Sequence, residues 1–206
     1  MKNILQIHSS LGSEAGESTK LAGLYVRGLL AAHPRAELVV RDLARDVVPH
    51  LDAERFGAFL TPADQRNARQ NEIVRYSDGL IEELKRADVI VLGVPMYNFS
   101  VPSQLKAWFD HVARAGVTFR YTPSGAVGLL TGKKAIVIAT RGGHYAAMGT
   151  DHQTPYLRQF LGFLGITDVQ FVYAEGLAIS EASKTDALAA AQNAILARTA
   201  QEKIAA

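Results

Sequence analysis

The residues of this chain best suited to chemistry sit directly behind an apolar run. Asp88-Val-Ile-Val-Leu-Gly-Val94 has the length and β-branched content of a strand buried on both faces, and Pro95, which has no N–H to give a central ladder, ends it. Met96-Tyr97-Asn98-Phe99 follows at once and offers a thioether, two aromatic rings and an amide. Loops at the carboxyl ends of parallel strands form the ligand crevice of open α/β sheets, so this set suits a flat heteroaromatic molecule with a polar edge.

Two further loops carry ligand chemistry. Ser9-Ser10-Leu-Gly-Ser-Glu-Ala-Gly16-Glu17-Ser18 joins a strand at Asn3 to His8 to a helix over Ser18 to Ala32. Open backbone N–H groups and the positive end of the helix dipole attract an anion there, the hydroxyls of Ser10 and Ser18 can donate, and Gly16 lets the backbone come close. The loop has neither the Gly-Lys-Ser/Thr ending of a nucleoside-triphosphate loop nor a Gly-x-Gly-x-x-Gly, so a monophosphate held by neutral groups fits it better. The plainer alternative is a serine-capped helix after an ordinary turn. Glu14 and Glu17 are compatible with a phosphate only if their carboxylates turn outward. The third loop, Thr140-Arg141-Gly142-Gly143, ends the strand Lys134 to Thr140; paired glycines permit φ > 0 and close approach to a ring, and equally serve a plain strand-to-helix turn.

The elements that must position these loops alternate. Ala36 to Leu43 reads as a second strand, Gln70 to Ala87 as a helix leading into the strand at Asp88, and Val101, Leu105, Trp108, Phe109 and Val112 as the core stripe of another helix. Leu157 to Leu164 form a helix ended by Gly165, Asp168 to Ala174 a fifth strand, and Ser180 caps a final alanine-rich helix. The fold class is α/β, flavodoxin-like: a five-stranded parallel sheet of order 2-1-3-4-5 with helices on both faces, residues 1–206 forming one domain. Strands one, three and four are then neighbours, and all three loops meet at the switch point. Two segments break the alternation: Asp46 to Arg69 is polar and irregular, and Thr118 to Lys133 reads as a hairpin near the crevice; both are expected to shape a substrate pocket or a subunit contact.

Composition removes several classes. With 22 basic residues against 20 acidic ones and a net charge of +2, no polybasic stripe points to nucleic acid or to an anionic membrane. No cysteine is present, which excludes disulfides, thiolate metal sites and a cysteine nucleophile. The six histidines, at 8, 33, 50, 111, 144 and 152, lack ligand spacing, so no metal site is expected. Without a leader-like h-region or a run of transmembrane length, the expected location is the cytoplasm.

Met96-Tyr-Asn-Phe99, Gln104-Leu-Lys-Ala-Trp-Phe-Asp110, Ala113-Arg-Ala-Gly-Val-Thr-Phe-Arg-Tyr121, Gly132-Lys-Lys134 and Arg141-Gly-Gly143 together resemble the FMN-dependent NADH azoreductases of the flavodoxin-like quinone reductase group. The likeness extends through Thr154-Pro-Tyr-Leu157, Gly162-Phe-Leu-Gly165 and Ala174-Glu-Gly176, nearly the whole chain. It implies bound FMN, with NADH or NADPH as donor and a quinone or azo compound as acceptor in a ping-pong two-electron cycle. Ser10 and the Gly16-Glu17-Ser18 turn would hold the phosphate. Met96, Tyr97, Asn98 and Phe99 would line the ring, and Thr140, Arg141, Gly142 and Gly143 would contact its pyrimidine side, with Arg141 a candidate source of positive field. Family members often carry Gln where this chain has Glu17. The resemblance also implies a homodimer with the flavin at its interface, and Phe119, Tyr121 and Phe163 are candidate pocket walls. No side chain is assigned as catalyst; His144 and Tyr145 stand beside the glycine pair. The alternative is a flavodoxin-type FMN electron carrier without its own turnover, although such carriers are acidic and this chain is balanced. A receiver domain would need acidic residues after strand one and a phosphorylatable Asp after strand three, places that hold Ser9-Ser10 and Pro95-Met96 here, and a serine hydrolase a Gly-x-Ser-x-Gly, which is missing.

Overall fold

The structure, a computed structural model, describes residues 1–146 and 148–205, without the side chains of 203–205. Five parallel strands form one sheet: β1 (Asn3–His8), β2 (Glu37–Asp42), β3 (Val89–Pro95), β6 (Lys134–Thr140) and β7 (Asp168–Ala174), in the order β2-β1-β3-β6-β7. This is the expected 2-1-3-4-5 order, renumbered because β4 (Phe119–Thr122) and β5 (Gly125–Gly128) form a separate antiparallel hairpin. β3 and β6 are buried almost end to end, as their unbroken apolar runs require. Pro95 is tolerated as the last residue of β3: Met96 N–H donates to the Thr140 carbonyl at 2.9 Å on the β6 side, and Pro95 faces the side where β1 has ended.

Helices cover both faces. α1 (Glu17–Ala32) and α6 (Glu181–Ala205) enclose one core with Ile4, Val89, Val91, Ile136 and Ile138. On the other face, Leu80, Ile81 and Leu84 of α3 (Ala68–Arg86), Leu105, Trp108 and Phe109 of α4 (Ser103–Val112), and Leu157 and Leu161 of α5 (Gln153–Phe163) cover Leu5, Ile7, Ile90 and Leu92. α3 starts earlier than its apolar stripe because Asn67 and Gln70 form a reciprocal capping box. Ser180 Oγ accepts the Ser183 N–H at 3.1 Å at the start of α6, and Gly165, at φ 98°, ends α5.

Two expectations are corrected. Asp46 to Arg69 is not wholly irregular: α2 (Ala53–Leu60) forms there, capped by Asp52, whose carboxylate accepts the Arg55 N–H at 2.8 Å. The Thr118 to Lys133 hairpin exists, but it does not stand at the crevice. Leu130 N–H donates to the Leu164 carbonyl at 2.9 Å, and Gly128 lies so close to Gly165 that a Cβ on it would come 2.0 Å from the Gly165 nitrogen. Those contacts hold the hairpin at the carboxyl end of α5, about 16 Å of helix from the end that meets the three loops.

Candidate functional site

The loop after β1 is built around close approach. Gly16 precedes α1 with ordinary extended dihedrals (φ −67°, ψ 136°), so glycine is not there for its backbone freedom. It is required by space, since a Cβ would fall 2.2 Å from Ser10 Oγ and 2.6 Å from Ser10 Cβ. As the N-cap residue it offers no side chain, and α1 begins without a side-chain cap. Ser18 Oγ and Thr19 Oγ1, on buried residues of that first turn, also lack partners. Buried hydroxyls beside unsatisfied N–H groups fit the oxygens of a phosphate. Neither acid opposes it: Glu17 pairs with Lys20 at 3.1 Å and exposed Glu14 with Arg45 at 3.2 Å.

The loop after β3 is tied to the first. Tyr97 Oη accepts the Leu11 N–H at 3.3 Å and lies 3.5 Å from Ser10 Oγ. Tyr97 and Ser100 exchange backbone hydrogen bonds of 3.1 and 3.0 Å around Asn98 and Phe99, both left-handed (φ 48° and 67°). That is a type I′ turn with phenylalanine where glycine is preferred, a strained arrangement of the kind that gathers at ligand sites. Phe99 is left 59% exposed, and its ring meets Tyr145 edge-on at 6.0 Å.

The third loop departs from expectation in two ways. Gly142 and Gly143 do not use positive φ; they make room, for Ala178 and for the Tyr145 ring, each of which a Cβ would approach to 3.2 Å. Arg141 does not present its guanidinium to the crevice. It is buried, 3.0 Å from Asp151, 2.9 Å from Glu175 and 2.9 Å from Thr154 Oγ1, and lies over the Tyr173 ring. Burial works against the Asp151 carboxylate, yet hydrogen bonds from Thr154 and Arg141 hold it below the usual carboxylate range. Glu175 also accepts the N–H groups of Tyr145 and Ala146, each at 3.0 Å, so the cluster pins the loop.

A groove of about 810 Å³ opens at the second loop, lined by Leu11, Met96, Tyr97, Asn98 and Tyr156 among others. Burial pushes the Tyr156 phenol up to about 12, so it is a neutral hydroxyl at physiological pH. Ser10, Gly16, Glu17, Ser18, Met96 to Phe99 and Thr140 to Gly143 therefore come to one edge of the sheet. Phe119, Tyr121 and Phe163 do not: Phe119 is core, packed 4.3 Å from Phe163, and Tyr121 stands 76% exposed on the hairpin at the far end of α5. Two residues were missed. Thr19 follows a predicted phosphate ligand and could have been found from that alone. Gln153, whose side-chain amide donates to the Pro95 and Ser100 carbonyls at 3.0 and 3.2 Å, has no local signature.

A parallel five-stranded sheet with an uncapped, hydroxyl-lined helix start and two further loops at its switch point defines a flavodoxin-type α/β protein. A profile for the flavodoxin-like fold matches residues 2–199. The FMN-dependent NADH:quinone oxidoreductase of Burkholderia pseudomallei (strain 1710b) is 57% identical over 197 residues, 96% of this chain and 100% of the relative. Its namesake from Alcanivorax borkumensis is 53% identical over the same fractions. Among solved structures, an FMN-dependent NADH-azoreductase from Bacillus anthracis in complex with FMN superposes with a TM-score of 0.89 at 26% identity, covering 98% of this chain and 99% of that one. The chain belongs to the flavodoxin-like family and, within it, to the FMN-dependent NADH:quinone oxidoreductases.

Proposed function

We propose that this chain is an FMN-dependent NAD(P)H oxidoreductase that reduces quinones and azo compounds, its full length forming one FMN-binding domain. The observation that carries the reading is the pair of buried, unpartnered hydroxyls of Ser18 and Thr19 at an uncapped helix start. Bound FMN supplies the two-electron relay between a nicotinamide and an acceptor, chemistry that no side chain performs.

The chain's own residues bind and orient. Ser10, Ser18, Thr19 and the backbone at Gly16 and Glu17 would hold the phosphate in a loop, residues 9–18, that has no lysine or arginine. Met96 to Phe99 would line the ring, and the backbone of the Thr140 to Gly143 loop would meet its polar edge. Arg141, whose backbone N–H and carbonyl are taken by Ala174 and Leu177, acts by fixing the loop, not by lending charge to the ring. Donor and acceptor enter in turn over the same groove, which makes the kinetics ping-pong. In a homodimer, the exposed Tyr121, with Phe119 and Phe163 behind it, would wall the groove of the other subunit, the role that these residues cannot fill within their own protomer. Among the described residues no helix is long and apolar enough to cross a membrane, and we place the enzyme in the cytoplasm.

Anaerobic addition of NADH to the FMN-loaded protein should bleach its visible flavin bands, and a small quinone should restore them. Bands that NADH leaves unchanged would contradict a reductase and favour an electron carrier.

A further inference from the structure

Six buried side-chain polar atoms among the described residues have no hydrogen-bond partner, and four of them belong to the end of β1 and the first turn of α1: both ring nitrogens of His8, Ser18 Oγ and Thr19 Oγ1. A native fold rarely leaves such groups unpaired without a ligand or water to receive them. The hydroxyls are accounted for by the phosphate, but the imidazole is not.

His8 is the last residue of β1, paired in register with Gly93 of β3. A Cβ on Gly93 would lie 2.9 Å from the Ser18 carbonyl, so the first turn of α1 rests on this row of the sheet. One step back on the same face of β1, the Gln6 amide lies 3.8 Å from the Cβ position of Gly23. Two residues along the strand advance about 6.6 Å, and four residues back along the oppositely running helix about 6 Å. The ring of His8 therefore lies under Thr19.

The charges that face it are few. Asp42, at the end of β2, lies 4.0 Å from His8 Nδ1 and also accepts from Ser13 Oγ of the phosphate loop. Exposed Arg45 lies 3.8 Å from Asp42 and pairs with Glu14, and both Glu14 and Arg45 act on the ring from further off. β3 contributes only Gly93, and the charged side chains of the first turn of α1, Glu17 and Lys20, neutralise one another. Residues 9–18 contain no lysine or arginine. A phosphate dianion at α1 thus has the Asp42 carboxylate as a neighbour and, among the described residues of that loop and strand end, His8 as the buried group able to become a cation.

We propose that His8 is a further binding residue for the phosphate monoester: it takes up a proton when the dianion is bound and, as imidazolium, offsets the charge of the phosphate against Asp42. The inference rests on the FMN reading above. In the free protein, burial pushes the His8 pKa down, outweighing Asp42 and Glu14, so the ring is neutral at pH 7. Binding a dianion raises it, and protons are taken up between the two values. The His8 contribution to affinity is therefore largest at low pH and is lost as pH rises through the bound-state pKa.

The test compares wild type with His8→Asn, titrating flavin-free protein with FMN and with riboflavin from pH 6 to 8. The affinity of wild type for FMN should fall about tenfold more across that range than that of His8→Asn, equivalent to about one unit of pKa change. Riboflavin, which lacks the phosphate, should show no difference between the proteins. Histidine-labelled wild-type protein, with the His8 signal assigned by its loss in the variant, should show the His8 pKa rising on FMN binding; this measurement does not depend on the fold of the variant. FMN bound with parallel pH profiles and an unmoved His8 pKa would overturn the inference and leave the functional reading standing. A His8-dependent riboflavin profile would also overturn it. Failure of FMN to bind at all would remove the reading itself.

Discussion

At the start of α1, two buried hydroxyls and a buried imidazole have no partner, whereas at the end of β6 the buried Arg141 has Asp151, Thr154 and Glu175 around it and Tyr173 beneath. Both ends of the crevice are polar and buried, yet one is complete in the free protein and the other is not. Unpaired buried groups lower stability until a ligand satisfies them, so the unfinished end would gain the most from the proposed phosphate. The completed cluster acts as a rigid mount for the ring-side loop. A site divided in this way can bind a cofactor tightly at one end and keep the reacting face fixed at the other.

The largest expected effect breaks the mount. Arg141→Met would leave two largely buried carboxylates without their cation, a loss of about 3–5 kcal/mol, read as a lower denaturant midpoint with or without FMN. An unchanged midpoint would mean that the cluster contributes nothing. Ser18→Ala should behave oppositely at the unfinished end. Removing an unpartnered hydroxyl should hold or raise the stability of the flavin-free protein, while FMN affinity falls about 10- to 100-fold, since a hydrogen bond to a charged group contributes about 1.5–3 kcal/mol. Equal loss of stability and affinity would make Ser18 an ordinary structural residue. Between the two ends, Asn98→Val would place a β-branched residue at φ 48°, with an expected cost of about 1–2 kcal/mol and poorer FMN retention through gel filtration. Unchanged flavin content would count against the ring placement.

The smallest effect supplies a control, because not every orphaned atom marks a ligand. His111 Nδ1 is also buried and unpartnered, but Nε2 is 3.0 Å from the Pro49 carbonyl, and the rings of Phe59 and Tyr76 pack edge-on against the imidazole. Burial lowers its pKa below 6.5, so the folded protein keeps it neutral. Its contribution to stability is complete above that value and declines as pH falls below it, where only the unfolded chain takes up the proton. His111→Gln should flatten this part of the stability profile, and FMN should not alter it.

Much of the fold could be read in the chain because its periodicities are strong. β3 and β6 are continuous apolar runs, and the Gly165 stop and the Ser180 cap lie where local chemistry puts them. α2 is not legible because it is only eight residues long and contains Gly57, too short a span for periodicity to emerge. The site divided along similar lines. Ser10, Gly16 and Ser18 were legible from a loop and a helix start, whereas the side-chain commitments of Arg141 depend on Asp151 and Glu175, 10 and 34 residues away. Gln153 reaches Pro95 across 58 residues, a distance over which no motif operates. The hairpin is legible in the sequence, but only its contact with Gly165 decides which end of α5 it occupies.

Equilibrium titration of the flavin-free protein with FMN and with riboflavin at a single pH tests the central claim most directly. If the unfinished start of α1 is a phosphate site, FMN should bind more tightly by about 100-fold or more, the worth of two charge-assisted hydrogen bonds. Equal affinities for the two flavins would contradict the account.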